Sequence, residues 1–198
     1  MKIIVLIVSI TISQNVLSST FEDDLAGVAY ERTNLNVRYD GAYISINYPN
    51  GDVPPDMGVC TDVVIRSYRA LGVDLQKLVH EDISLNFEKY PSNRIWGLTK
   101  PDTNIDHRRV PNLQVFFKRH GVLLSVTNKG ADYHAGSIVT WLLPGNLPHI
   151  GIVTGTINSE SGNPMVVHNI GRGVESEDML FKYKITGHYR YKPEKYNK

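Results

Sequence analysis

A chain of 198 residues, 41% of them hydrophobic, is long enough to bury one core without disulfide staples. Its 21 Lys and Arg nearly balance 20 Asp and Glu, for a formal net charge of +1, and no basic run is longer than Arg108-Arg109. Bulk charge therefore argues against a nucleic-acid binder and against electrostatic attachment to a membrane, and no fixed-period repeat or low-complexity tract is present.

The first segment reads as a secretory signal. Lys2 supplies a positive end, Ile3 to Ile12 an uncharged apolar run, and "NVLSS" the small residues around a cleavage point near Ser18 or Ser19. The apolar run is shorter than the roughly 20 residues of a membrane span. The expected organisation is a signal peptide over residues 1–19 and a single domain over 20–198, exported to the periplasm or beyond, with no stable membrane insertion once the signal is removed. An uncleaved anchor is the alternative.

"TFEDDLAGVAYERT" predicts a helix, with Thr20 as N-cap and Phe21, Leu25, Val28 and Ala29 on one face. "VRYDGAYISINYPNGDVPPD" predicts short strands and tight turns, broken at Asp40-Gly41 and Asn50-Gly51. In "CTDVVIRSYRALG", Val63, Val64, Ser67, Tyr68 and Leu71 form a helical stripe that Gly72 stops. "VDLQKLVHEDISLNFEKYP" predicts a second helix, capped by Asp74 and ending before Pro91. "PSNRIWGLTKPDTNIDHRRVPN" reads as a long polar loop, the kind that often carries function. "VPNLQVFFKRHG" predicts a third helix between Pro111 and Gly121. "GSIVTWLLPG", "HIGIVTG", "PMVVHNIG" and "ITGHYRYKP" predict strands. Helices followed by an antiparallel sheet make an α+β pattern.

The chain has one cysteine, Cys60. In an oxidising compartment it has no internal partner, which leaves a free thiol, an intermolecular partner, a nucleophile, or a small buried hydrophobe. The predicted helix puts Cys60 in its first turn. There the helix end and a nearby imidazole can lower a thiol from about 8.5 to below about 7. Of the seven histidines, His149 is the best base. It opens a strand in which Gly151 shares its face, leaving room for another group. His168 lies on the next strand, where it could orient the His149 ring, and Asn169 should face away unless a bulge swaps the two. The central segment gathers Asp106, His107, Arg108 and Arg109, and an arginine fork suits a carboxylate; internal Asp–Arg pairing is the other reading. No CxxC or HExxH spacing exists, so no metal is expected, and the Gly-containing turns are too short for a phosphate loop.

The order of a helix-borne Cys, a strand-borne His and a strand-borne polar residue resembles the NlpC/p60-type peptidases, a papain-like group acting on bacterial cell walls. "GVCTDVVIRSYRALGVD", "DYHAGSIVTW" and "HIGIVTG" followed by "VVHNIG" are similar to that group's cysteine helix, the segment just before its histidine strand, and its histidine and third-residue strands. A more specific likeness is to domain-of-unknown-function family 1287. It is carried by "YPNGDVPPDMGVCTDVVIRSYRALGVDLQKLVHEDI", "PDTNIDHRRVPNLQVFF" and "HNIGRGVESEDML", and covers nearly all of the mature chain. Two departures from the NlpC/p60 pattern bear on the substrate pocket: Val59, Thr61 and Asp62 stand around Cys60, and Gly136-Ser137 closes the pre-histidine segment.

The resemblance implies a papain-like fold, Cys60 as nucleophile, His149 as base and His168 as third residue, with no cofactor. It implies an exported cysteine hydrolase that cleaves amide bonds in peptidoglycan stem peptides, as an endopeptidase. A wall amidase, an acyltransferase using the same triad, or a non-catalytic wall-binding module are the alternatives. Asp62, Asp106, His107, Arg108, Arg109 and Asn169 are the candidate substrate-binding residues.

Overall fold

Residues 19–196 are described in the computed structural model, so most of the expected signal segment lies outside them. Thr20 caps α1 (Phe21–Glu31) as its sequence requires. Its hydroxyl accepts the Asp23 N–H while the Asp23 carboxylate takes the Thr20 N–H. Phe21, Leu25 and Ala29 are buried along the expected face.

The next stretch departs from expectation. Only β1 (Arg38–Tyr39) and β2 (Met57–Gly58) form, as a short parallel pair. Between them the backbone is tied by side chains: Asn104 Oδ1 accepts the Ile46 N–H and Gln76 Nε2 donates to the Asn47 carbonyl. Those partners lie 58 and 29 residues away, beyond what a local reading of turn residues can find.

α2 (Cys60–Ala70) begins at the cysteine, and Gly72, with φ of 69°, makes the left-handed step after its end. α3 (Leu75–Leu85) is capped by Asp74 but ends well before Pro91. Asn86 stops it by donating to the Asp82 carbonyl and carboxylate, and Tyr90 and Arg119 converge on the same carboxylate. The segment expected as open loop contains α4 (Ser92–Trp96), ended by Gly97, and a 3₁₀ turn over Asp106–Arg108. α5 (Val110–His120) has Pro111 in its first turn.

The C-terminal part forms β3 (Val122–Leu123), β4 (Ile138–Leu143), β5 (Leu147–Ile157), β6 (Pro164–Asn169), β7 (Val174–Glu177) and β8 (Lys184–Arg190). They make an antiparallel sheet in the order β3-β8-β4-β5-β6-β7. Its two faces are sorted by alternation. Ile138, Ile150, Ile152 and Val167 join Val64, Tyr68, Leu113 and Phe117 in the core beneath the helices. Val139, Trp141, Val153 and Val166 pack with Tyr133, Met179 and Leu180 on the other side. The fold is α+β, helices first, with the cysteine helix against the central strand β5. Among the described residues no helix is long and apolar enough to cross a membrane.

Candidate active site

Pairing of β1 with β2 sets Tyr39 beside Gly58, two residues before the cysteine. A side chain at Gly58 would be crowded, because a Cβ would lie 3.1 Å from the Asp62 Cβ and 3.2 Å from its Oδ2. Asp62, the third residue of α2, accepts the Val59 N–H at 2.7 Å and so satisfies the backbone just ahead of Cys60. Both of its oxygens then receive the Arg108 guanidinium, Nε to Oδ1 and Nη2 to Oδ2, each at 2.9 Å. The Thr61 hydroxyl donates to the Arg108 carbonyl at 3.0 Å. The first turn of α2 is thereby locked to the turn before α5.

Cys60 is buried, at 5% exposure. Burial pushes its thiol up to about 12, against the backbone N–H groups of Ile150, Thr61 and Cys60 itself, which favour the thiolate. The low value expected from the helix end is therefore corrected: desolvation outweighs the helix and the amides, and the resting group is a neutral thiol. Beside it lies a pocket of about 220 Å³ whose walls include Tyr39, Cys60, Trp96, Arg109, Pro111 and Pro148.

Ile150 reaches the cysteine through its N–H, and Pro148 lines the same pocket. His149 is the residue between them. Its Nε2 lies 3.0 Å from Nδ1 of His168, with the two rings at 89° to each other. Trp141 stands across the strand pair from His149, 6.1 Å between ring centroids. Burial lowers His149 to about 3, so its imidazole is neutral. With Nε2 engaged, Nδ1 is the nitrogen left to take a proton from a thiol. No hydrogen bond joins Cys60 to His149 in this arrangement.

The room expected at Gly151 is used. A Cβ there would lie 2.8 Å from Val166 Cγ1, 2.9 Å from the Val167 oxygen and 3.2 Å from the His168 Cβ. Gly151→Ala is expected to push β6 outward, costing about 1–3 kcal/mol as an overpacked site. It should also separate the two rings. Urea unfolding gives the first quantity, and the histidine side-chain NMR signals report the second.

His168 is held on the face that meets His149, and Asn169 on the opposite one, without a bulge exchanging them. Asn169 Nδ2 donates to the Gly58 carbonyl at 3.4 Å and its Oδ1 accepts the Gly171 N–H, so it ties β6 to the strand before the cysteine. Behind His168, Nε2 lies 2.9 Å from Oε2 of Glu177, near enough for the negative charge to act on that nitrogen although the ring N–H is not aligned on the oxygen.

The other candidate binding residues divide. Asp62 and Arg108 are occupied with each other and deeply buried, although Arg108 also lines the cysteine pocket. Asn169 is likewise committed to backbone. Asp106 is 1% exposed and receives the Asp102 N–H on Oδ2. His107 is 2% exposed and lowered to about 3 by burial, so it carries no charge to offer. Arg109 differs. Its guanidinium lies 4.0 Å from the centre of the Trp96 ring at the pocket wall, and Nη1, 3.7 Å from Asp106, has no hydrogen-bond partner.

Three residues escaped the sequence reading. Tyr39 and Trp96 gave no local sign, because pairing of distant segments brings them to the pocket. Glu177 did leave one: Val174-Glu175-Ser176-Glu177 alternates after the "GRG" turn, as a strand returning along β6 would. A larger cavity of about 870 Å³, lined by Tyr90, Arg94, Gln114, Lys118 and Tyr189 among others, shares Pro111 with the cysteine pocket but contains none of Cys60, His149 and His168. Among the described residues no group of three or more His, Cys, Asp or Glu could hold a metal ion.

Comparison with known proteins returns a family match and two likenesses. The family described as "Domain of unknown function (DUF1287)" matches residues 26–191. "Uncharacterized protein YijF" of Escherichia coli (strain K12) is 49% identical over 167 residues, covering 84% of this chain and 80% of that protein. Among solved structures, "Structure of NlpC1 from Trichomonas vaginalis" superposes with a TM-score of 0.49 at 15% identity, covering 89% of this chain and 46% of that one. This chain thus spans less than half of that solved one.

Proposed function

Because the chain belongs to the DUF1287 family, in which a function has to be argued from the site, we propose that it is a cysteine hydrolase of amide bonds. The observation that carries this reading is the meeting of the chain's single thiol, at the start of a buried helix, with the strand whose His149 is linked to His168. A lone structural cysteine needs no such chain behind it.

In the proposed reaction Sγ of Cys60 attacks the carbonyl carbon and its proton passes to Nδ1 of His149. Thiolate and imidazolium form together, and their attraction in a site poor in water offsets the burial that opposes either charge alone. The N–H of Cys60, in the first turn of α2, stabilises the oxyanion. Collapse breaks the C–N bond, and the leaving amine takes the proton from His149. His149 then removes a proton from water, whose oxygen attacks the thioester. The acid leaves and the thiol is restored.

The proposed substrate is the stem peptide of bacterial peptidoglycan, met after export. Arg109 supports a substrate bearing a carboxylate, since its guanidinium lines the cysteine pocket and lies over Trp96. Cleavage within the stem is the first assignment, and cleavage at the sugar–peptide junction would use the same acyl-enzyme.

Digestion of purified sacculi by residues 20–198, compared with the Cys60→Ala variant, tests this. New fragments are expected only with Cys60 intact, and their masses identify the bond. No release from sacculi of several wall chemistries, under reducing conditions, would overturn the assignment.

A further inference from the structure

We infer that Glu177 is a positioning residue of this site: its carboxylate, held by Arg172, fixes the tautomer of His168 and through it the nitrogen of His149 that is free to take the thiol proton. The use of that proton rests on the hydrolase reading above; the tautomer does not.

The register of β6 and β7 puts Glu175 opposite His168 and Glu177 opposite Val166, so both acids share the face of His168. The Glu177 oxygens have separate partners. Oε2 is 2.9 Å from Nε2 of His168, and Oε1 receives Nη2 of Arg172 at 2.5 Å. Arg172 also donates to Glu175 Oε2 from Nε and Nη2, at 3.1 and 3.0 Å. The ring of His168 is 1% exposed while Glu177 is 28% exposed. A carboxylate at the rim thus reaches a buried chain of rings.

The consequence follows from donor and acceptor inventory. A carboxylate is negative and only accepts, so at 2.9 Å it favours a proton on the nitrogen facing it. His168 is then protonated on Nε2 and bare on Nδ1. The facing Nε2 of His149 must be an N–H, which leaves His149 bare on Nδ1. One neutral arrangement satisfies both contacts, and it is the one in which His149 can act as a base. Without the carboxylate the reverse becomes equally good: His168 donates from Nδ1, His149 accepts on Nε2, and the proton on His149 Nδ1 blocks transfer from the thiol.

The charged and titratable groups facing His168 are His149 from β5, Glu175 and Glu177 from β7, Arg172 from the preceding turn, and Lys182 and Tyr183 across a cavity of about 290 Å³. Burial lowers His168, and the Glu177 carboxylate opposes that shift. Removing the negative charge should therefore disfavour imidazolium on the linked rings. The thiolate it accompanies becomes harder to form, and the Cys60 titration moves to higher pH.

The experiment compares the wild-type protein with Glu177→Gln, which keeps the shape, and Glu177→Ala. Side-chain ¹⁵N NMR reads the tautomers, and the pH dependence of Cys60 alkylation by iodoacetamide reads the thiol. Expected are Nε2–H on both rings in the wild type, a population of Nδ1–H in each folded variant, and alkylation slowed by about 10- to 100-fold at neutral pH, as for other residues that orient a functional histidine. Pure Nε2–H in the folded variants, or an unchanged alkylation midpoint, would overturn the inference, since a merely structural Glu177 would move only the unfolding midpoint. Neither readout uses a substrate, so a protein that releases nothing from sacculi still gives the answer.

Discussion

Arg108→Ala is expected to lower the unfolding free energy by about 3–5 kcal/mol, the usual cost of removing one partner of a buried ion pair. The side chains of Arg108 and Asp62 are 2% and 3% exposed, so neither charge has water to fall back on. Loss of the guanidinium leaves the buried Asp62 carboxylate without its paired cation while it still accepts the Val59 N–H. Asp62→Ala should cost as much or more, because it also removes the acceptor ahead of α2, worth about 1 kcal/mol as a helix cap. Replacing both by apolar residues of similar volume should recover much of the loss, since the pair's attraction largely repays its own desolvation. Denaturant midpoints of the two single variants and the double variant test this as a cycle. A single-variant cost below about 1 kcal/mol, the range of an exposed pair, would mean that water reaches the two charges. The pair joins residue 62 to residue 108 at the foot of the cysteine helix, so the folded Arg108→Ala protein should also show faster exchange of the amides in the first turn of α2.

The helices were legible because their signals are local. Thr20 with Asp23, Asp74 with Lys77, and Gly72 after α2 are caps within one turn of what they cap. The stretch between β1 and β2 was misread because β-branched and aromatic residues signal a strand only where an edge is free to pair. Here Asn104 and Gln76 take the backbone groups instead. α3 stopped early for a similar reason. Nothing in "SLNFEKY" forbids a further helical turn, but Asp82 collects Asn86, Tyr90 and Arg119, and that convergence exists only once α5 has packed.

The approach of His168 to His149 over Gly151 could be anticipated from alternation along two strands. The fates of Asp62 and Arg108 could not. In sequence they look like free charges near a cysteine and in a polar loop, and only burial turns them from binding groups into a clamp. Burial also reversed the expectation for the thiol. The start of a helix argues for a lowered value, but how much water surrounds Sγ depends on Ile150 and the sheet beneath it. Arg109 differs in that its flat face lies over Trp96 at the pocket wall, while its Nη1 faces Asp106 without a hydrogen bond.

His149→Ala is expected to lower kcat for wall-peptide hydrolysis by about 10⁴-fold or more, the scale seen when a base is removed from a nucleophile–histidine pair. The cause is specific to this site. Burial alone holds the Cys60 thiol near 12. At neutral pH the thiolate can arise only by handing its proton to a neighbour, and His149, lowered to about 3, is neutral and ready to receive it. Without that imidazole, alkylation of Cys60 should become negligible at neutral pH and rise only in strong alkali. A variant that is still alkylated as fast as the wild type at neutral pH would show that another group activates the thiol and would remove His149 from the mechanism. The same substitution has a signature in stability. A histidine buried as the neutral form has a folded value below its unfolded value of 6.5, so the unfolded chain binds the extra proton first. Its contribution is complete above 6.5 and is lost as the pH falls from there toward 3. His149→Ala should therefore weaken the fall in unfolding free energy between pH 6.5 and 3, leaving the part due to His107, His168 and His188, all also lowered by burial. Denaturant midpoints across that range separate the two variants' slopes. An unchanged slope would mean that His149 takes up its proton equally well in the folded and the unfolded chain, and the burial of its neutral form would fail as an account of the site.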